Sequence, residues 1–289
     1  MRSLLAVLIL WLPLCAQDFS GYEIVPVGEG YKFTEGPAWS REGYLLFSDV
    51  PNSRIWKYTP GGGAPEVFRE ASNRANGNAF DAQGRLYTCE VGARRVTRTG
   101  KEGRITVLID NWQGKRLNAT NDIVVRRDGH VYFTDPAFGS REDTRELEFY
   151  GVYHVTPTGE TEIAAKPEGR PNGIGLSPDG RILYVANTDE RRLYAYDLDG
   201  NGKASGERVL IENIDGPPDG IAVDEKGNIY ITANQLPVYS PRGELLHTFR
   251  FSERPRNCAF GGPDMTTLFV TSGTSVHAVK LGVKGAVQY

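Results

Sequence analysis

Hydrophobic and polar positions alternate along this chain in short runs, separated by polar turns that contain glycine. An apolar run leads into each turn, and a β-branched and aromatic run follows it, at residues 45–48, 86–88, 131–134, 182–185 and 229–232. Glycine supplies the positive φ that such turns need, and alternating apolar residues cover one face of a sheet. The pattern predicts a succession of short β-hairpins.

These hairpins recur every 41 to 51 residues. Each repeat begins with an oxygen-bearing side chain, which we call its opener, and has a glycine eight residues later. The openers are Glu35, Asn76, Asn121, Asn172 and Asp219. A sixth, looser copy opens on Arg256. Units of this size with three or four strands are typical of propeller blades, so the sequence predicts an all-β fold, a six-bladed β-propeller.

The segment 22–27 precedes the first opener and has no blade of its own. Radial repeats need protected edges, so we expect this segment to add a strand to the last blade, which contains Val270, and so to close the ring. No helical pattern alternates with the strands, which argues against a parallel α/β sheet. A two-sheet sandwich would not explain a six-fold repeat.

The N-terminus has the features of an export signal. Arg2 is followed by an apolar run from Leu4 to Leu14 and by the small residue Ala16, and the run is too short for a membrane span of about 20 residues. We therefore predict a cleaved signal peptide over 1–16, a single propeller domain over 17–289, and a periplasmic or extracellular location. Cys15 offers a lipoprotein alternative, which the bulky residue before it disfavours.

Composition and charge remove several classes of function. The net charge is -3 and no cluster of Lys and Arg appears, which argues against a nucleic-acid partner. Cys89 and Cys258 lie far apart in sequence, without disulfide or zinc spacing, and are expected to be buried in strands. No G-x-S-x-G or phosphate-loop motif is present, and the four His lack metal-site spacing.

The openers carry the candidate chemistry. In a propeller the innermost strand of each blade lines a central channel, so equivalent positions converge on one axis. Two carboxylates and three amides would form a hard-oxygen cage suited to Ca²⁺, with Mg²⁺ or Mn²⁺ as alternatives and Zn²⁺ less favoured. Asn or Asp before Gly is also common in turns, but Glu35 has no such preference, so a metal site is favoured. Arg256 makes the cage asymmetric.

A series of short motifs follows in order along the chain: EGPAW at 35–39, RRVTR at 94–98, GKRLN at 114–118, ND at 121–122 with YFTDP at 132–136, GVY at 151–153, RPNG at 170–173, PDG at 218–220 and AFGG at 259–262. Together these motifs resemble the senescence marker protein/gluconolactonase family, the regucalcin-like calcium-dependent lactonases. The resemblance extends from about Gly28 to the C-terminus.

The resemblance implies roles for particular residues. It makes Glu35, Asn172 and Asp219 metal ligands and Asp219 also the proton-transferring acid/base. Asn121 matches a position that contacts substrate in the lactonases and metal in related phosphotriesterases, and Asn118 beside it is expected to contact substrate. The chain departs from the family at two positions. It has Val91 where many bacterial gluconolactonases have His, and Ala119 where the animal branch has a sugar-contacting Arg.

The leading hypothesis is metal-assisted hydrolysis of a lactone, with a small-molecule sugar lactone as substrate and Asp219 as general acid/base. A second hypothesis keeps the metal cage and changes the substrate to another ester or an organophosphate. A third, non-enzymatic hypothesis is a secreted propeller whose calcium is structural.

Overall fold

The computed structural model describes residue 19 and residues 21–287. The predicted signal peptide over 1–16, with Cys15, lies outside the described residues. Within the described part of the chain, six four-stranded antiparallel sheets follow one another, with one short ribbon between the second and the third. The prediction of a six-bladed all-β propeller is confirmed. No helix among the described residues is long and apolar enough to cross a membrane.

The first three blades follow a lead strand, β1 (Ile24–Glu29). Blade 1 consists of β2 (Thr34–Ser40), β3 (Tyr44–Asp49), β4 (Arg54–Tyr58) and β5 (Glu66–Arg69). Blade 2 consists of β6 (Ala75–Phe80), β7 (Leu86–Glu90), β8 (Arg95–Thr99) and β9 (Ile105–Ile109). The ribbon is β10 (Asn111–Trp112) and β11 (Lys115–Arg116). Blade 3 consists of β12 (Ile123–Val125), β13 (Val131–Asp135), β14 (Gly151–Val155) and β15 (Thr161–Ala165), with a 3-10 helix at Gly139–Thr144.

The last three blades continue the order. Blade 4 consists of β16 (Pro171–Leu176), β17 (Ile182–Asn187), β18 (Arg192–Leu198) and β19 (Ala204–Ile211). Blade 5 consists of β20 (Ile221–Val223), β21 (Ile229–Ile231), β22 (Leu236–Tyr239) and β23 (Leu245–Phe249). Blade 6 takes β24 (Pro255–Gly261), β25 (Thr267–Ser272) and β26 (Ser275–Lys280) from the C-terminal end.

The lead strand closes the ring. β1 pairs antiparallel with β26, with Ile24 opposite Val279, and becomes the outermost strand of blade 6. The expectation for segment 22–27 is therefore confirmed. Closure joins the first and the last described strands in one sheet, which is how a ring of repeats protects its edges.

Hydrophobic packing between neighbouring blades forms the core. Between blades 6 and 1, for example, the buried ring of Trp39 stacks on Phe269 with centroids 5.6 Å apart, in one cluster with Leu45, Phe47 and Val276. Cys89 and Cys258 are buried, unpaired strand residues, as predicted. Because each blade buries one apolar face against each neighbour, the ring holds its central channel at a fixed geometry.

The glycines eight residues after the openers have the predicted conformation. In each turn the glycine N–H donates to the carbonyl three residues earlier, over 2.8 to 3.0 Å. All five have a positive φ, at Gly43, Gly84, Gly129, Gly180 and Gly227. Positive φ is costly for other residues, so these glycines set the hairpin register and hence the position of each opener on the axis.

Candidate active site

All five oxygen-bearing openers line one cavity of about 880 Å³ at one end of the channel. We call it the upper cavity. Glu35, Asn76 and Asn172 lie in the inner strands β2, β6 and β16, whereas Asn121 and Asp219 lie two residues before β12 and β20. The structure therefore brings together the four predicted metal ligands, Glu35, Asn121, Asn172 and Asp219, and places Asn76 beside them.

The glycine that follows an opener permits the inner strands to approach one another closely. A Cβ on Gly36 would lie 1.9 Å from the carbonyl oxygen of Asn76, and one on Gly173 would lie 1.9 Å from that of Asp219. The N–H of Gly77 donates to the carbonyl of Asn121 at 2.8 Å. These openers lie in or next to the inner strands. The glycine after each of them lets the backbones of neighbouring inner strands pack closely around the axis.

Two of the openers are buried carboxylates without a cationic partner. The residues Glu35 and Asp219 are 4% and 7% exposed, and neither makes an ion pair among the described residues. The Glu35 side chain accepts a hydrogen bond from the N–H of Gly36 at 3.2 Å. Burying an unpaired carboxylate is expensive, so this arrangement favours a bound cation.

Burial raises the pKa of Glu35 well above its usual range, and the charges of Asp219 and Asp122 raise it further, whereas Arg256 lowers it. Burial likewise raises the pKa of Asp219, against the opposing charges of Arg256 and Arg254. The two carboxylates thus repel each other in a site with little water. A divalent cation between them would offset both the cost of burying the two charges and their mutual repulsion.

The amide side chains leave oxygen atoms for a cation. Asn172 donates its amide N–H to Thr188 Oγ1 at 3.2 Å and also to Asp219, which leaves its own side-chain oxygen for the cavity. The Oδ1 of Asn76 is buried without a hydrogen-bond partner. The buried, unpartnered oxygen of Asn76 and the free side-chain oxygen of Asn172 lie beside two carboxylates, and such oxygens are the ligands that Ca²⁺ prefers.

Carboxylates alone do not complete the site. Across residue 19 and residues 21–287, no group of three or more His, Cys, Asp and Glu side chains is placed to hold a metal ion. A cation in the upper cavity would therefore need the amide oxygens in addition to Glu35 and Asp219. This donor set fits Ca²⁺ better than Zn²⁺, which favours nitrogen and sulfur ligands.

Asp122 takes the place of the glycine that follows four other openers. Its Oδ1 accepts from the N–H of Ile123 at 3.0 Å, and its Oδ2 accepts from the N–H of Ile174 on blade 4 at 3.3 Å. Burial raises the pKa of Asp122 to about 6. The side chain lies next to Asn257 and lines a second cavity of about 160 Å³, which we call the lower cavity.

Asn118 is not among the residues that line the upper cavity. It is 0% exposed, and its amide nitrogen donates to the carbonyls of Asp135 and Phe149, each at 3.0 Å. Its neighbour Ala119 does line the cavity, as does Val91, so both departures from the family pattern face the site. Asn118 therefore stabilises the wall of the upper cavity. Its predicted contact with substrate is not supported by this position.

Sequence reasoning missed most of the cationic side chains in this cavity. Arg74, Arg170 and Arg254 each stand two residues before the opener of their repeat, so the repeat did carry a signal for these three. Lys32, Arg141 and Arg191 lie in loops or in the 3-10 helix and share no such position. Only Arg256 was singled out, as the sixth opener. The others are Lys32, Arg74, Arg141, Arg170, Arg191 and Arg254.

The fold and the site together define a class: a six-bladed propeller whose axial cavity gathers carboxylate and amide oxygens. Comparison with known proteins specifies the family. The chain belongs to the family described as "SMP-30/Gluconolactonase/LRE-like region", which matches residues 33–274. The family resemblance predicted from the sequence motifs is confirmed.

Individual relatives agree with this assignment. A gluconolactonase of Zymomonas mobilis subsp. mobilis is 32% identical, over 88% of this chain and 80% of that protein. The solved structure of a gluconolactonase from Xanthomonas campestris has a TM-score of 0.85 and 32% identity, and the match covers 93% of this chain and 92% of that one. These relatives bear out the predicted class of enzyme, a lactone-opening hydrolase of carboxylic ester bonds.

A more distant structure is described as a calcium-binding protein, regucalcin from Agrobacterium tumefaciens. It has a TM-score of 0.78 at 20% identity, and the match covers 93% of this chain and 96% of that one. At this identity the likeness shows the fold alone.

Proposed function

We propose that this chain is a metal-dependent lactonase that opens a sugar lactone in the upper cavity. One observation carries the proposal: in a member of a gluconolactonase family, the buried carboxylates of Glu35 and Asp219 make no ion pair among the described residues and lie beside amide oxygens. Such a site is costly for a protein that does not bind a cation there.

Glu35, Asn172 and Asp219 would hold the ion, which is Ca²⁺ in this proposal, and Asn121 would be shared between ion and substrate. Bound there, a divalent cation would supply Lewis-acid stabilisation of the negative charge that develops on the lactone carbonyl oxygen. The protein's contribution is to fix the oxygen atoms. Asp219, for example, is anchored by its backbone N–H, which donates to the carbonyl of Thr232 at 2.7 Å.

Asp219 is the proposed general base and acid. It takes a proton from the water whose oxygen bonds to the carbonyl carbon, and it returns that proton to the ring oxygen when the ester bond breaks. The product is a hydroxy acid. The positive charges of Arg254 and Arg256 favour the ionised form of Asp219, which is the form that accepts a proton.

The test is an assay of Asp219→Asn and Asp219→Ala on a panel of lactones, carboxylic esters and organophosphates, with and without chelator. We expect lactone hydrolysis to fall by about 10² to 10⁴ in both variants. Asp264→Asn, at an exposed carboxylate on blade 6 that is paired with Lys280, is the matched control and should retain full activity. Near-wild-type turnover by Asp219→Ala with metal present would falsify the assignment.

Export is a separate part of the proposal and depends on residues 1–16. Expression of the full chain with its own N-terminus, followed by N-terminal sequencing of the exported protein, tests it. We expect the mature chain to begin at Gln17. A chain that keeps its first 16 residues would contradict cleavage after Ala16, and a lipid on Cys15 would establish the lipoprotein alternative.

A further inference from the structure

The upper cavity is strongly cationic, although the whole chain has a net charge of -3. Seven Lys and Arg side chains and three carboxylates, those of Glu35, Asp189 and Asp219, line it. The lining therefore carries an excess of about four positive charges. This concentration exceeds what a neutral sugar lactone requires.

Only one of the seven cations is neutralised by an ion pair. Arg170 is paired with Asp189, with Nε and Oδ2 3.0 Å apart. The remaining six have no carboxylate within 4.0 Å in the part of the chain that the structure describes. They are Lys32, Arg74, Arg141, Arg191, Arg254 and Arg256.

Arg254 and Arg256 are partly buried, and their charges act on Asp219. Arg254 is fixed by the carbonyls of Ala233 and Pro217, at 3.0 and 2.8 Å. The guanidinium of Arg256 lies over the ring of Phe33 at 4.9 Å, and its buried Nε has no partner. The carboxylate formed by lactone opening gives this pair an anion to bind.

The other four cations, Lys32, Arg74, Arg141 and Arg191, are the rim cations, and they exceed what that product requires. They come from blades 1 to 4 and the loops next to them, and three of the four are exposed. Arg74 and Arg191 are held at positive φ, 57° and 54°, an unfavourable conformation for Arg on an exposed turn. Arg141 projects from the 3-10 helix and donates to the carbonyl of Gly92 at 3.3 Å.

We propose that the lactone opened in this cavity carries a second, anionic group, a carboxylate, phosphate or sulfonate, which the rim cations bind. This inference rests on the proposed lactonase function and adds the substrate class. Arginine matches the oxygen geometry of all three groups by paired N–H donors, and a cation-lined cleft also concentrates anionic substrates from solution.

The first experiment compares glucono-δ-lactone with lactones of the same ring that carry a phosphate, a sulfonate or a carboxylate at carbon 6. We expect kcat/KM to be at least about tenfold higher for one or more of the anionic lactones, and this advantage to shrink as salt is raised. The three groups identify which anion is preferred. Equal kcat/KM for the neutral lactone and all three anionic lactones would overturn the inference.

The second experiment assigns the preference to the rim. In the double variant Arg74→Gln with Arg191→Gln, the ratio of anionic to neutral kcat/KM should fall toward one. Arg104→Gln with Arg181→Gln removes two exposed arginines that lie outside the cavity, and should retain the wild-type ratio. An unchanged ratio in the rim variant would assign recognition elsewhere and contradict the inference.

Binding gives a readout that does not depend on turnover. Calorimetry in chelator and in Ca²⁺ should show 6-phosphogluconate or its sulfonate or carboxylate analogue binding more tightly than gluconate, with the difference lost in the rim variant. If the protein hydrolyses the neutral lactone but shows no such difference in binding, the anion inference is wrong and the lactonase proposal stands. If the protein binds anions through the rim but opens no lactone, the lactonase proposal is wrong and the anion-binding rim stands.

Discussion

The two ends of the channel are lined by the same six inner strands, yet they differ in chemistry. The upper cavity receives the openers, with Glu35 and Asp219 as its buried carboxylates. The lower cavity receives the residues that follow them, including Trp39, Phe80 and Phe260. It is smaller and lined mainly by apolar side chains, with the buried carboxylate of Asp122 among its few polar groups. One to four positions along the chain separate each opener from the residues of its repeat that line the lower cavity.

This difference explains where stability and chemistry reside. At the lower end, aromatic and aliphatic side chains fill the space between the strands, as in any protein interior. At the upper end, buried carboxylates without partners make the fold less stable until a cation binds. A variant that removes an upper carboxylate should therefore lower activity and raise stability in the absence of metal. A variant that removes a lower aromatic ring should lower stability and leave activity largely unchanged.

The largest effect is expected from Glu35→Gln at the upper end. Loss of this carboxylate should lower lactone hydrolysis by about 10² to 10⁴ because the proposed metal site loses a charged ligand. In chelator the same variant should melt at a higher temperature than wild type, because one of two repelling buried charges is gone. If the variant is less stable than wild type in chelator and keeps full activity, the proposed difference between the two ends of the channel is wrong.

Trp39→Ala tests the lower end. Removing a buried aromatic ring that stacks on Phe269 should lower the free energy of unfolding by about 3 to 5 kcal/mol. Activity per folded molecule should stay within about twofold, since Trp39 does not line the upper cavity. Denaturant unfolding and lactone turnover below the transition measure both, with Trp39→Phe as the conservative control. A catalytic loss comparable to that of Glu35→Gln would show that the two ends are not separable.

Calcium should stabilise the protein through the upper end alone. At a free concentration 100 times Kd, binding to the folded state adds about 2.7 kcal/mol to the free energy of unfolding. Thermal melts across a calcium series should show this rise in wild type and in Trp39→Ala. Glu35→Gln should show little of it, and an equal rise in that variant would place the ion elsewhere.

The smallest expected effect comes from Gly173→Ala, which is predicted to disturb both stability and catalysis. The added methyl would meet the carbonyl of Asp219, so the two inner strands must separate. We expect a destabilisation of about 1 to 3 kcal/mol and a weaker affinity for Ca²⁺. Gly282→Ala provides a control, because a Cβ there meets nothing within 4 Å. Unchanged melting and calcium affinity in Gly173→Ala would show that the strands need not approach this closely.

The repeated part of the molecule could be predicted from the sequence. Six copies of one hairpin pattern fixed the blade number, and the unassigned segment 22–27 identified the closing strand, because a ring of repeats has only one place for it. The openers Glu35, Asn121, Asn172 and Asp219 were found for the same reason. Equivalent positions in radially repeated units must converge.

Features outside the repeat could not be predicted. Asn118 and Asn121 are three residues apart, but only the chain path before β12 decides that Asn121 lines the cavity and Asn118 is buried in its wall. His130 and His154 lie 24 residues apart in the sequence, yet the pairing of β13 with β14 brings Nδ1 of His130 within 2.6 Å of Nε2 of His154. Arg141 reaches the cavity from the 3-10 helix, which has no equivalent in the other repeats among the described residues.

The most direct test of the central claim is a titration of lactone hydrolysis with calcium, starting from protein stripped by chelator and shown by metal analysis to be metal-free. We expect no appreciable activity at the start and full recovery at one Ca²⁺ per chain. Glu35→Gln should not recover at the same calcium concentrations. Full lactone hydrolysis by the metal-free wild-type protein would contradict the claim that the openers of this propeller form a catalytic metal site.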